Sequence, residues 1–250
     1  MTTGNGAASH EEEPLVIDGA VYPDIVKNPL DEISCTSYVL GILFGASVAL
    51  LPIARFWNFN LYVAALCAFH FLEFYITARY NPGKVEVGSF VLRNGKSYFL
   101  AQALSVCEVW LELWLFPNWK NTWRSTGHTA CVVVGIVLLL FGQYVRSQAM
   151  VTAGQSFSHL IKTTKEPDHV LVTTGIYRIS RHPSYLGYFW WTLGTQLVLL
   201  NPVTFVVFAI ILCKYFSDRI RYEEHYLLQF FGKVYVSYRE STGVYIPFIP

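Results

Sequence analysis

Charge is what this sequence has least of. Lys, Arg, Asp and Glu make up 14% of its 250 residues, where a soluble domain carries about 25%, so there is too little polar surface to wrap a soluble protein. The net charge of +1 removes a strongly basic nucleic-acid binder, and no nucleic-acid partner is expected. The five cysteines form no C-x-x-C pair. All lie in or beside apolar blocks and read as small apolar fillers rather than a metal or disulfide framework. The amino terminus lacks the basic start and early apolar core of a secretory signal. Its polar, acidic stretch 1–33, broken by Pro14, Pro23 and Pro29, reads as a flexible tail.

What is present is apolar sequence in long blocks: 34–54, 60–78, 97–117, 128–149, 185–200 and 203–216. A helix needs about 20 apolar residues to span a bilayer. The first four blocks meet that length. The last two are shorter and joined by Asn201-Pro202, which suits a helical-hairpin turn and opposes one continuous helix. The expected fold is therefore an all-α polytopic integral membrane protein of about six segments, with room for re-entrant helices. Residues 34–149 would form the amino-terminal membrane helices and 150–250 a carboxy-terminal half carrying the site. With a cytosolic amino terminus, 15 Lys and Arg fall on the cytosolic side against Arg55, Lys120 and Arg124 opposite, which also makes the carboxy terminus cytosolic.

Two polar stretches, 150–184 and 217–250, flank the hairpin and must meet at one membrane face. In the first, Arg181-His182-Pro183-Ser184 opens a helix. Pro suits the first helical position, first-turn amides can receive an anionic group, and Arg181 and His182 add donors there. An interfacial anchor is the alternative, because Arg and aromatic residues commonly flank spans. In the second stretch, Arg219 and Glu223 share one helical face. They are either a surface ion pair or, at the membrane boundary, part of a site. Arg221 and Glu224 extend a charge run of the kind that forms a solvated face. "YLLQFFGKVYVSY" reads as an interfacial amphipathic helix interrupted by Gly232. Glu73, Glu108 and Glu112, isolated within apolar blocks, can hydrogen-bond to neighbouring helices, and none is assigned to catalysis.

"RHPSYLGYFWW" (181–191), followed by "DRIRYEEHYLLQFFGKVYVSYRESTGVYIPFIP" (218–250), resembles the carboxy-terminal half of isoprenylcysteine carboxyl methyltransferases. "AGQSFSHLI" and "HVLVTTGIY" match the same family in order and spacing. The likeness is strong over 150–250, mainly topological over 34–149, and absent from 1–33. Membrane phospholipid N-methyltransferases and sterol reductases carry related carboxy-terminal signatures, and a non-catalytic membrane protein is the remaining alternative. The resemblance implies an endoplasmic-reticulum enzyme that methylates the terminal carboxylate of prenylated CaaX proteins after proteolytic trimming, with S-adenosylmethionine as donor and no metal. It implies a donor pocket from Lys162, His169, Val170, Leu171, Val172, Tyr177, His182, Pro183, Ser184, Tyr185 and Glu223, with Arg219 as the substrate-binding arginine. Arg181 is added as a neighbour of the donor's carboxylate on the helix-start argument above.

Overall fold

Four glycines set the tightest contact in the molecule. Gly135 and Gly142 lie seven residues apart on one helix, and Gly187 and Gly194 seven apart on another. Seven residues is close to two helical turns, so each pair shares a face. In the computed structural model, which describes residues 15–17, 19–93, 95–118, 120, 125–165 and 169–250, these faces meet. A methyl group on Gly187 would stand 2.5 Å from the Arg146 amide nitrogen, and one on Gly194 2.6 Å from that of Leu139. The two backbones touch, as small residues allow where helices pack inside a bilayer.

The helices involved are α4 (Thr126–Ala153) and α5 (Pro183–Leu199), the latter opening with Pro183 in its first turn after His182. Before them come α1 (Leu30–Leu50), α2 (Trp57–Tyr80) and α3 (Gly95–Leu115); after them α6 (Pro202–Phe231) and α7 (Lys233–Ser241). Phe69 of α2, Leu139 of α4 and Trp191 and Val198 of α5 form one buried cluster. Phe189, Leu193, Phe208, Phe216 and Ile220 form another between α5 and α6. By contrast α1 buries only Leu40 and Ser47. It leaves Tyr38, Ile42 and Phe44 exposed, the pattern of a helix facing lipid.

Among the described residues, four stretches are long and apolar enough to cross a membrane: Leu30–Leu50, Trp57–Tyr80, Val87–Leu115 and Thr126–Ser156. The expected all-α membrane fold therefore holds. At 1.5 Å per residue α5 is about 26 Å long, and α6 departs from the expected short hairpin arm. It runs unbroken for 30 residues through the charged stretch. Most of 217–250 is thus helix rather than loop, and the chain breaks only at Gly232, where φ is +53°. The amphipathic segment read from the sequence divides there into the end of α6 and α7. Of the stretch read as tail, residues 1–14 lie outside the described set. Leu15–Ile17 and Ala20–Tyr22 pair as antiparallel strands β1 and β2, and α1 begins at Leu30.

The Asn201-Pro202 turn is held by the acidic residues of α3. Glu108 accepts the amides of Val203 and Thr204, each at 2.7 Å, at the start of α6. Lys120 donates to the carbonyls of Leu199 and Leu200 and to Asn201 Oδ1, and pairs with Glu112 at 2.7 Å. Opposite charges thus sit at the two helix ends, each where the helix dipole favours it. Lys120, counted above as a loop cation, is buried at 3% exposure. Arg146, counted likewise, lies within α4 at 8%. Lys120 lies in the α3–α4 connection but is buried, and Arg146 lies in a helix, so neither is a solvated loop cation in the orientation argument.

Candidate functional site

The face of α6 that carries Val207, Ile211, Tyr215, Arg219 and Glu223 advances four residues at a time and lines one cavity of 670 Å³. From Val207 to Glu223 this wall is about 24 Å long at 1.5 Å per residue. Its first part is apolar, closed by Leu100, Ala101 and Leu104 of α3 and by Phe208 and Leu212. Its second part is polar, closed by the chain after α4 and the start of α5. His169, Val170, Leu171, Val172, Tyr177, Arg181, His182, Pro183, Ser184, Tyr185, Arg219 and Glu223 all line it. Lys162 lies apart from them in a 50 Å³ annex, which His169 and Glu223 also line.

Tyr185 is the hub of the polar end. Its hydroxyl donates to Glu223 Oε2 at 2.6 Å and accepts from Arg219 Nε at 2.9 Å. The surface ion pair considered from the sequence is therefore replaced by a bridge: Arg219 and Glu223 share a helical face but meet through Tyr185. The Arg219 guanidinium lies 5.4 Å from the Tyr185 ring centre. It also donates to Tyr215 Oη at 3.3 Å and to the His159 carbonyl at 2.7 Å. Among the described residues these bonds engage three of its five N–H groups, leaving one on each terminal nitrogen. Tyr177 is pushed well above the usual phenol range by burial, with the nearby Glu223 charge adding to it.

Glu224 departs from the expected solvated charge run. It is 9% exposed, and its Oε1 takes Arg181 Nε at 2.6 Å and His182 Nε2 at 3.2 Å. Burial alone would raise its carboxyl, but these bonds outweigh that and hold it at about 2. Arg181 spends two further donors on the carbonyls of Thr242 and Pro250. Although it lines the cavity, it also fastens the segment after α7, beside the Ser180–Gly243 bridge. His182 stacks on Tyr185, with ring centres 5.5 Å apart and planes within 5°, and its Nδ1 is 3.6 Å from Glu223 Oε2.

Arg146 and His159, which the sequence reading did not single out, and Glu73, which it read as a hydrogen-bond partner for a neighbouring helix, also shape the site. Arg146 lines the cavity and forms a bidentate pair with Glu73 at 2.7 and 2.8 Å. His159 reaches the same carboxylate at 2.9 Å. A charged residue inside each of two apolar helices was the available signal, but only the helix register shows that the two charges meet.

The chain is thus a helical membrane protein with a large cavity that is charged at one end and apolar along the other. A model of the isoprenylcysteine carboxyl methyltransferase (ICMT) family matches residues 133–229. The protein-S-isoprenylcysteine O-methyltransferase of Saccharomyces cerevisiae is 57% identical over 91% of this chain and 95% of its own length. That of Dictyostelium discoideum is 42% identical over 76% and 77%. A solved structure, the eukaryotic intramembrane Ras methyltransferase ICMT without a monobody, superposes with a TM-score of 0.82 at 34% identity, covering 87% of this chain and 77% of that one. The chain belongs to the isoprenylcysteine carboxyl methyltransferase family.

Proposed function

We propose that this protein transfers a methyl group from S-adenosylmethionine to the α-carboxylate of a carboxy-terminal isoprenylcysteine on CaaX proteins that have been proteolytically trimmed. The observation that carries this reading is the Arg219–Tyr185–Glu223 chain, which stands where the cavity changes from polar to apolar.

The lining fits the donor. The cavity volume of 670 Å³ falls in the usual ligand range of about 300–1,000 Å³. Its polar end offers a cationic ligand the Glu223 carboxylate and the Tyr177 ring, groups that attract a sulfonium or ammonium. Residues 169–172 and 182–185 complete that wall, with Lys162 beside the annex. When bound, the donor supplies an electrophilic methyl carbon on a positively charged sulfur.

An α-carboxyl has a pKa of about 3.3–3.7, so the acceptor arrives ionised. A carboxylate oxygen bonds to the methyl carbon, the carbon–sulfur bond breaks with its electron pair going to sulfur, and no proton moves. The chain needs no general base. Its work is to align oxygen, carbon and sulfur and to keep water away. Arg219 presents its two remaining N–H groups to the carboxylate, while Tyr185 and His159 fix its plane. Arg181, committed to Glu224 and the terminal segment, acts on the donor by positioning His182. The prenyl chain lies along the Val207–Leu212 wall, reached from lipid.

The donor enters from the cytosol, with both termini on that side and the apolar segments of α1–α6 in the endoplasmic-reticulum membrane. The test is transfer of radiolabelled methyl to N-acetyl-S-farnesylcysteine in purified membranes. Labelling of phosphatidylethanolamine instead would favour a phospholipid N-methyltransferase, and labelling of neither would overturn the proposal.

A further inference from the structure

The Glu73 carboxylate lies on α2, outside the carboxy-terminal half that supplies most of the site, and is 1% exposed. Both its oxygens are used. Oε1 accepts Arg146 Nε at 2.7 Å, while Oε2 accepts Arg146 Nη2 at 2.8 Å and His159 Nε2 at 2.9 Å. An ionised carboxylate only accepts hydrogen bonds, which places a proton on His159 Nε2. The main-chain carbonyl of the same histidine accepts Arg219 Nη2 at 2.7 Å. A second tether from α2 runs from Asn81 Nδ2 to the Phe157 carbonyl at 3.0 Å. The short loop 157–159 is therefore suspended between α2 and the Arg219 guanidinium. Arg146 in turn donates to Ser184 Oγ at 2.8 Å in the first turn of α5. Two walls of the cavity thus take their registry from one buried ion pair.

Replacing a buried ion pair with well-packed apolar residues is often neutral or stabilising. Fold stability alone is thus a weak reason for a charge at position 73. What the pair provides is direction: a bidentate guanidinium–carboxylate contact fixes both planes. We propose that Glu73 is a positioning residue for methyl transfer, acting through His159 to set the plane of Arg219. This rests on the reading of Arg219 as the group that holds the acceptor carboxylate.

Replacing Glu73 itself would strand the Arg146 charge in the core, so the tether is better cut at its other end, in the full chain in membranes. His159→Ala removes the imidazole and keeps the carbonyl. Misplacing a reacting group by about 1 Å can cost on the order of 100-fold, and loss of the tether is expected to lower kcat/KM for N-acetyl-S-farnesylcysteine roughly 10- to 100-fold. Binding of radiolabelled S-adenosylmethionine per folded protein should stay unchanged. His159→Gln, whose amide can donate to Glu73, should recover much of the loss. Asn81→Ala, which leaves the Glu73–Arg146 pair intact, should shift acceptor kinetics in the same direction.

An inactive wild type would overturn the functional reading itself. An active wild type with His159→Ala and Asn81→Ala kinetically unchanged would overturn the positioning role alone. So would fewer donor-binding sites with normal KM and normal turnover per site, because Glu73 would then only support the fold.

Discussion

Tyr185→Phe tests the site with a single oxygen atom. The ring stays, and with it the stacking on His182 and on Phe216, whose ring centre is 5.2 Å away. The hydroxyl goes, and with it the 2.6 Å bond to Glu223 and the 2.9 Å bond from Arg219. Hydrogen bonds to charged groups contribute about 1.5–3 kcal/mol each, so the gross loss is roughly 3–6 kcal/mol. Part of it returns. Arg219 and Glu223 are four residues apart on α6 and can close on each other directly, a contact worth about 0.3–0.5 kcal/mol at a surface and more when half-buried. The remaining cost of about 2.5–5.5 kcal/mol, if expressed wholly in the transition state, corresponds to a loss of roughly 70- to 10,000-fold in kcat/KM, since each 1.36 kcal/mol is tenfold.

The collapse toward Glu223 draws Arg219 away from the acceptor. The loss should therefore appear mainly when acceptor is varied, with a smaller change in donor affinity. Arg219→Ala sets the limit, removing transfer while donor binding remains. The assay is steady-state transfer of radiolabelled methyl to N-acetyl-S-farnesylcysteine, beside direct donor binding. Tyr185→Phe with wild-type kinetics would mean that the bridge does not set the Arg219 geometry.

Glu223→Ala and His182→Ala should each weaken donor binding, measured directly with labelled S-adenosylmethionine; normal affinity in both removes them from the donor pocket. Gly187→Ala places a methyl group 2.5 Å from one backbone atom of α4 and 2.7 Å from another. No side chain can yield there, so overpacking should cost about 1–3 kcal/mol or more, read as a lower melting temperature in detergent; an unchanged value would refute the close approach. Glu224, beyond the apolar part of α6, has a folded-state carboxyl at about 2 against an ordinary 4.5. Its contribution to stability is complete above about 4.5 and is lost as pH falls through 2. Glu224→Gln should flatten that acid limb of the stability profile, and an identical limb would refute the clamp.

Local chemistry was legible where one residue decides one conformation. Pro183 can occupy only the start of a helix, and α5 starts there. Asn201-Pro202 interrupts a helix because proline cannot donate in its interior, and the chain turns there. The charged stretch after Phe216 was harder to place. Polarity signals exposure, yet a helix propagates through polar residues as readily as apolar ones once nucleated. As a result α6 carries Arg219 and Glu223 into the cavity on the same face as Val207 and Ile211. Glu224, one residue on from Glu223, looks identical in sequence but is buried against Arg181 and His182.

The apolar helices, the breaks between them, and the motifs around His182 and Glu223 that mark the family are properties of neighbouring residues along one chain and can be read from it. Which charges are buried together is a property of the packed helices. Glu73 and Arg146 stand 73 residues apart, and Lys120 reaches the end of α5 from 79 residues away. An isolated charge in an apolar helix must find a partner or remain in water. Which partner it finds depends on how each helix is set against its neighbours, as the glycine contact sets α4 against α5.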